Sequence, residues 1–269
     1  MDSPTLGRKH IVITGSTRGL GFCLADAFLA LDCSITVSGR AQTSVDQAVD
    51  KLAHKHGSDR VHGHPCDVRR PEQVQALWQS AKDRFGKVDI WINNAGYSAP
   101  QMSLKELPPS EAQAVIETNL LGTVYGARVA MQGMLEQGFG GIYNMEGLGS
   151  NGRKQAGLAM YGTSKYSLRY FTDCLVNEAH GTPLVIGALS PGMVITEMIT
   201  GQYQYRPEEW ERFKQVLNLL AEHPETVAPW LAERILENQK SGVRIAWLTR
   251  QRLLGRMLSA PFKHRNLFE

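Results

Sequence analysis

Tyr161 and Lys165 stand four residues apart in Tyr-Gly-Thr-Ser-Lys. On a helix that spacing stacks a phenol and an ammonium on one face. A fixed cation beside a phenol favours the phenolate and pulls its pKa down from about 10. Such a tyrosine can give a proton to a carbonyl oxygen or take one from an alcohol. The same pair also fits a solvated helix face, so its meaning depends on what the rest of the chain brings near it.

The elements that must position the pair begin at the N-terminus. Residues 10–14 form a β-branched apolar run that reads as a buried parallel strand. Gly15-Ser16-Thr17-Arg18-Gly19-Leu20-Gly21 follows, then a helix-period stretch through Phe22, Leu24, Ala25, Phe28 and Leu29. Strand, glycine turn and helix form the context of a dinucleotide cradle. Gly15 turns the chain, Gly19 admits a pyrophosphate, Gly21 lets helix and strand pack, and the helix N-terminus offers free N–H groups. The spacing is Gly-x3-Gly-x-Gly, unlike the commoner GxGxxG. A second strand, 34–38, ends at Gly39-Arg40 with no acidic residue there. Arg40 and Arg18 are either a pair suited to the 2′-phosphate of NADPH or two solvated arginines; the expectation is NADP(H).

Thr14-Gly15-x3-Gly19-x-Gly21, Asn93-Asn94-Ala95-Gly96, Asn119, Tyr161-x3-Lys165 and Ser190-Pro191-Gly192 occur in this order. Together they resemble the short-chain dehydrogenase/reductase family over about residues 8 to 200. The resemblance implies that Asp67 and Val68 contact adenine. Asn93, Asn94, Ala95 and Gly96 would flank the cofactor, and the stretch through Pro191, Gly192, Val194 and Thr196 would enclose its nicotinamide. Tyr161 becomes the acid of a carbonyl reduction. Lys165 lowers its pKa and binds ribose, and Asn119 holds a water linking Lys165 to solvent. Without the resemblance, Asn119 reads as a hydrogen-bonded kink in a long helix.

One departure stands out. The family carries a substrate-binding serine after the fifth strand, but this chain reads Asn144-Met145-Glu146-Gly147-Leu148-Gly149-Ser150-Asn151-Gly152-Arg153. The serine position falls on Gly147. Losing one donor to a developing oxyanion costs on the order of 3–4 kcal/mol, so a substitute is expected. Ser150 is the first choice; a backbone N–H or Glu146 are the others. The loop and the flanking Leu-Ser-Pro-Gly-Met-Val resemble the chlorophyll(ide) b reductases, which use NADPH to reduce a C7 formyl group to hydroxymethyl. Small residues there would make room for a bulky planar substrate. A ketone or aldehyde of steroid, quinone or acyl type, or an NADP-binding scaffold with weakened catalysis, are the competing readings.

Strand and helix signals alternate along the 269 residues, which predicts an α/β Rossmann fold in a single domain. The sheet would be parallel and doubly wound, with seven strands in the order 3-2-1-4-5-6-7. Helices are expected at 20–31, 43–56, 71–85, 110–136, 156–180, 208–221 and 225–239. The domain would span 1–249, with a substrate lid near 196–224 containing Met198, Ile199, Tyr203, Tyr205, Trp210 and Phe213. A net charge of +3 gives no case for nucleic acid. Four scattered cysteines give none for a metal or a disulfide frame. No apolar run is long enough to span a membrane, and a cytoplasmic location is expected, with peripheral contact at a photosynthetic membrane as an extension. Residues 250–269 form a basic amphipathic tail that would lie on a membrane, a partner or its own domain. The small, apolar helices 110–136 and 156–180 suit either a homodimer or homotetramer interface or burial within one chain.

Overall fold

The computed structural model describes residues 7–203, 207–259 and 265–268. Its strands are β1 His10–Ile13, β2 Ser34–Gly39, β3 Val61–Pro65, β4 Ile90–Asn93, β5 Gly140–Met145, β6 Leu184–Ser190, β7 Met193–Val194, β8 Ala221–Glu222 and β9 Val243–Ala246. Its helices are α1 Gly19–Ala30, α2 Gln42–His56, α3 Pro71–Phe85, α4 Pro109–Ile116, α5 Gly122–Gln137, α6 Ala159–Glu178, α7 Glu197–Thr200, α8 Pro207–Leu220, α9 Pro224–Glu237 and α10 Arg250–Ser259.

Seven strands form one sheet in the order β3-β2-β1-β4-β5-β6-β9, every pair parallel. That is the expected order. Its last strand is ninth in the chain because β7 and β8 pair separately. The β-branched runs lie at the centre because both faces of the sheet are covered, and Ile11, Val12 and Ile13 are wholly buried. On one face the core joins α1, α2 and α9 through Leu24, Phe28, Leu52 and Leu231. On the other, α3, α5 and α6 meet through Trp78, Trp91, Met134 and Leu175.

Two differences from the expected elements bear on the site. The single helix predicted at 110–136 is interrupted by a π-helical turn at Glu117–Leu121, which contains Asn119. The short α7 and the β7–β8 pair were not anticipated; elements of two to four residues carry no periodicity to read.

Of the three placements expected for the tail, the described residues pack on their own domain. Arg252 stacks on Trp247 and Trp230, with its guanidinium carbon 4.0 and 5.0 Å from their ring centroids. Arg256 and Arg265 both reach the carboxylate of Glu222 on β8. Leu254, Met257 and Leu258 are exposed apolar side chains of α10, beside the exposed Arg250 and Gln251. Of the tail residues, Phe262, Lys263 and His264 lie outside the described residues, as does Tyr205 of the lid. Trp210 packs its ring edge-on against Phe268. Among the described residues no helix is long and apolar enough to cross a membrane.

Candidate active site

The C-terminal ends of β1, β4, β5 and β6 open onto one side of the sheet, where crevices of parallel α/β folds lie. The glycine turn sits over β1. Gly15 has φ +63°, and a Cβ there would come within 2.8 Å of Ala95 Cα, so only glycine lets the turn meet the 93–96 loop. The two segments are stitched together: Asn94 donates its side-chain amide to the Thr14 and Gly15 carbonyls, 2.9 Å each. The Asn94 and Ala95 N–H groups donate to Thr14 Oγ1 at 3.0 and 3.1 Å. Ser16 is fixed by its hydroxyl on the Ile13 carbonyl and its N–H on Ser38. Thr17 lies under Gly39, where an added Cβ would meet its methyl at 2.6 Å. At the start of α1 the N–H groups of Gly19, Leu20 and Gly21 have no acceptor within the helix.

A narrow backbone cradle ending in free N–H groups fits the pyrophosphate of a dinucleotide. Arg40 is exposed beside it, and its charge reaches Asp67 and Tyr97. Asp67 accepts from Arg69 Nε at 2.9 Å, and that guanidinium holds its carboxyl below the usual carboxylate range. Val68 packs under Gly122. Arg18 pairs with Glu197 on α7 at 2.7 Å, both ends exposed. Residues 196 and 198 approach the same space. Thr196 Cγ2 stands 3.6 Å from where a Gly19 Cβ would be, and Met198 Cε 3.7 Å from that of Gly96. Pro191, Gly192 and Val194 lead from β6 through β7 to that point.

Tyr161 and Lys165 face this crevice from the first turns of α6. The Lys165 side chain is buried, donates to the Met145 carbonyl at 3.0 Å and lies 5.9 Å from the Tyr161 ring centroid. Burial pushes the amine down to about 8, partly offset by the charge of Glu146. The phenol goes against the expected direction. Burial pushes Tyr161 up to about 12 rather than down, because desolvation of a phenolate outweighs a cation that sits over the ring rather than at the oxygen. Tyr161 is therefore a neutral phenol with a proton to give.

Asn119 joins three segments. Its side-chain amide donates to the Tyr97 carbonyl and to Ser164 Oγ at 2.9 Å each, and its Oδ1 accepts from the Tyr97 N–H at 2.7 Å. Ser164 in turn donates to the Tyr161 carbonyl at 2.7 Å. The π turn accommodates this inward side chain; single π turns recur at functional sites. The Asn119 carbonyl accepts from Thr123 Oγ1 at 2.8 Å.

Gly147 does lie beside the tyrosine. A Cβ placed on it would stand 2.6 Å from Tyr161 Oη and 3.2 Å from Lys165 Cε. Ser150 is buried and donates to the Gly147 carbonyl at 2.8 Å, with Glu146 Oε2 3.4 Å away. Its hydroxyl is engaged inside the loop. The N–H groups of Gly147, Leu148 and Gly149 have no acceptor among the described residues. Tyr97, Ser164 and Arg244, which donates to Glu146 at 2.8 Å, belong to this constellation although sequence reasoning did not single them out. Ser164 was visible inside Tyr-Gly-Thr-Ser-Lys. Arg244 had no signal, since it arrives from a strand 98 residues away. An apolar wall beside Tyr161 is made by Pro100, Met102, Leu104, Leu107 and Leu158.

A family model described as short chain dehydrogenase matches residues 9–206. The chain is 35% identical over 279 aligned positions to the probable chlorophyll(ide) b reductase NYC1, chloroplastic, of Oryza sativa subsp. japonica, covering 98% of this chain and 54% of that protein. It thus spans about half the length of that relative. It is 36% identical to the chlorophyll(ide) b reductase NOL, chloroplastic, of the same plant, over 84% of this chain and 66% of that one. Among solved structures, a single-site variant of actinorhodin polyketide ketoreductase with NADPH superposes with a TM-score of 0.80 at 25% identity, covering 89% of this chain and 95% of that one.

Proposed function

The chain belongs to the short-chain dehydrogenase/reductase family, and from that premise we propose that it is an oxidoreductase that reduces the formyl group of chlorophyll(ide) b with NADPH. The observation that carries this reading is the glycine at position 147, set against the Tyr161 hydroxyl. With no side chain there, the loop backbone lies directly against the acid where the family's serine would stand, as in the loop that resembles the chlorophyll(ide) b reductases. The likeness to two plant reductases of that substrate supports it, and so does the apolar wall beside Tyr161.

The glycine turn and the free N–H groups of α1 would hold the pyrophosphate, with Asp67 and Val68 at the adenine and Pro191, Gly192, Val194 and Thr196 at the nicotinamide. Arg40 and Arg18 supply positive charge for a 2′-phosphate, Arg18 by exchanging its exposed partner Glu197 for the phosphate. When bound, the reduced cofactor supplies a hydride to the carbonyl carbon. Tyr161 donates its proton to the carbonyl oxygen as that oxygen gains charge. Lys165 stabilises the resulting phenolate and orients ribose, and Asn119 with Ser164 fixes the first turn of α6. Ser150 holds the 147–150 loop by its bond to Gly147, while the free loop N–H groups stand in for the missing serine donor. The exposed Tyr166 and Tyr170 on α6 support a homodimer through α5 and α6, testable by sedimentation.

The test is incubation of purified protein with NADPH and chlorophyllide b, following the 7-hydroxymethyl product by chromatography. Tyr161→Phe is expected to bind NADPH and to lose at least ~100-fold in kcat. Turnover of steroid, quinone or acyl carbonyls without turnover of the pigment would replace the substrate. Cofactor binding with no turnover of any carbonyl would replace the reaction with a scaffold role.

A further inference from the structure

Glu146 buries its carboxylate beneath the glycine-rich loop, with a side chain only 3% exposed. Arg244 of β9 donates Nε to Glu146 Oε1 at 2.8 Å, and its Nη2 lies 3.9 Å from Asp173 of α6. The Glu146 N–H is anchored on the Leu189 carbonyl at 2.8 Å. The residue before it, Met145, offers the carbonyl that accepts the Lys165 ammonium. The residue after it, Gly147, lies against Tyr161 Oη. Ser150 completes the arrangement from above, bridging toward Glu146 and Gly147.

A buried ion pair is a weak source of stability, since desolvating both charges offsets much of their attraction. Its place here points to another use. The charged or titratable groups around Lys165 are Tyr161 on its own helix, Glu146 from the loop after β5, and behind Glu146 the Arg244 guanidinium of β9 and Asp173. Of these, Glu146 is the carboxylate whose charge acts on Lys165.

We propose that Glu146 is a positioning residue whose carboxylate, balanced by Arg244, sets the electrostatic environment of Lys165 and fixes the 146–150 loop against Tyr161. This rests on the reduction proposed above, in which Lys165 works as a cation. Arg244 is the counterweight: it orients Glu146 and limits how much negative charge Lys165 feels.

The two partners must then act in opposite directions. Glu146→Gln removes the negative charge, so Lys165 gives up its proton at lower pH. Arg244→Gln leaves that charge unbalanced, so Lys165 holds its proton to higher pH. A purely structural pair would give losses of one kind in both variants. The measurement is a pH titration of the Lys165 ε-carbon in full-length, 13C-lysine-labelled protein, assigned with Lys165→Met, beside the pH dependence of kcat. Opposed shifts in the titration, followed by the alkaline limb of kcat, are expected. If Arg244→Gln fails to fold, the Glu146→Gln/Arg244→Gln double variant replaces it, and its titration should return from the single Glu146→Gln toward wild type. Shifts of the same sign, no shift, or a double variant identical to the Glu146→Gln single overturns the proposal. Because the titration needs no turnover, opposed shifts in a protein inactive on every carbonyl would retire the reductase reading and leave this electrostatic assignment standing.

Discussion

Restoring a side chain at position 147 pits two arguments against each other. By family pattern, Gly147→Ser supplies the missing serine and should raise activity. By geometry it does the reverse. The new Cβ would stand 2.6 Å from Tyr161 Oη, where real Cβ contacts essentially never fall below 3.0 Å, so the phenol must retreat by at least about 0.4 Å. Lys165 Cε and Cγ at 3.2 and 3.3 Å close the neighbouring space, so the backbone or the whole tyrosine has to shift. Overpacking of this kind typically costs about 1–3 kcal/mol. A displacement of ~1 Å at a reacting group lowers rates by ~100-fold. We expect Gly147→Ala to reduce kcat ~10-fold and Gly147→Ser up to ~100-fold, equivalent to ~1.4 to 2.7 kcal/mol of barrier. The NADPH dissociation constant should stay within ~2-fold, because the glycine turn is untouched. Single-turnover measurement of NADPH consumption with chlorophyllide b isolates the chemical step. A Gly147→Ser enzyme as fast as wild type would refute the reasoning, and with it the view that this loop is shaped around the tyrosine.

Other outcomes follow from the same geometry. Lys165 titrates at about 8 and Tyr161 at about 12, so kcat for reduction should fall as pH rises through about 8 while Tyr161 stays protonated; a rate flat to about pH 10 would contradict this. Arg40→Glu should weaken NADPH ~10- to 100-fold relative to NADH, measured as the ratio of kcat/KM for the two cofactors, and an unchanged ratio would remove Arg40 from the phosphate site. His10 is buried between the Lys87 carbonyl and Thr36, and burial lowers its pKa to about 4. The fold therefore keeps it neutral while the unfolded chain takes up a proton near 6.5. Its contribution is full above about pH 6.5 and is lost as pH falls toward about 4, a difference of ~3 kcal/mol. Urea unfolding of His10→Gln should show that much less acid sensitivity than wild type, and equal slopes with pH would exclude the residue as the source.

Much of the architecture was legible because long elements advertise themselves. The runs at β1 and β4 are mostly apolar on both faces, and α3 begins at Pro71 and ends before Gly86, so pattern and punctuation agree. The cradle was legible too, since Gly15 can be replaced by nothing larger. What escaped was whatever depends on three-dimensional closure. The break at Glu117–Leu121 is invisible in a sequence whose helical signal continues through it. The shift of the Tyr161 phenol escaped as well, because spacing of four reports a shared face and says nothing about desolvation or about where over the ring the ammonium rests. Which of its three expected resting places the tail takes could not be read from the sequence for a related reason. Alternating arginines and leucines define two faces, and only docking decides which one turns inward; here Trp230, Trp247 and Glu222 drew the cations in.

That docking has a mechanical corollary. Arg256 and Arg265 grip the same carboxylate, Glu222, whose strand pairs with Met193–Val194 and whose carbonyl receives the Ile195 N–H at 2.9 Å. The far end of the chain is thereby lashed to the stretch that leads into the cofactor crevice. Trimming the protein at residue 249 would slip both moorings at once, so slower turnover in such a truncation would register a slackened crevice wall as readily as a lost bilayer contact. Glu222→Gln, which loosens the lashing and keeps every tail residue, tells the two apart.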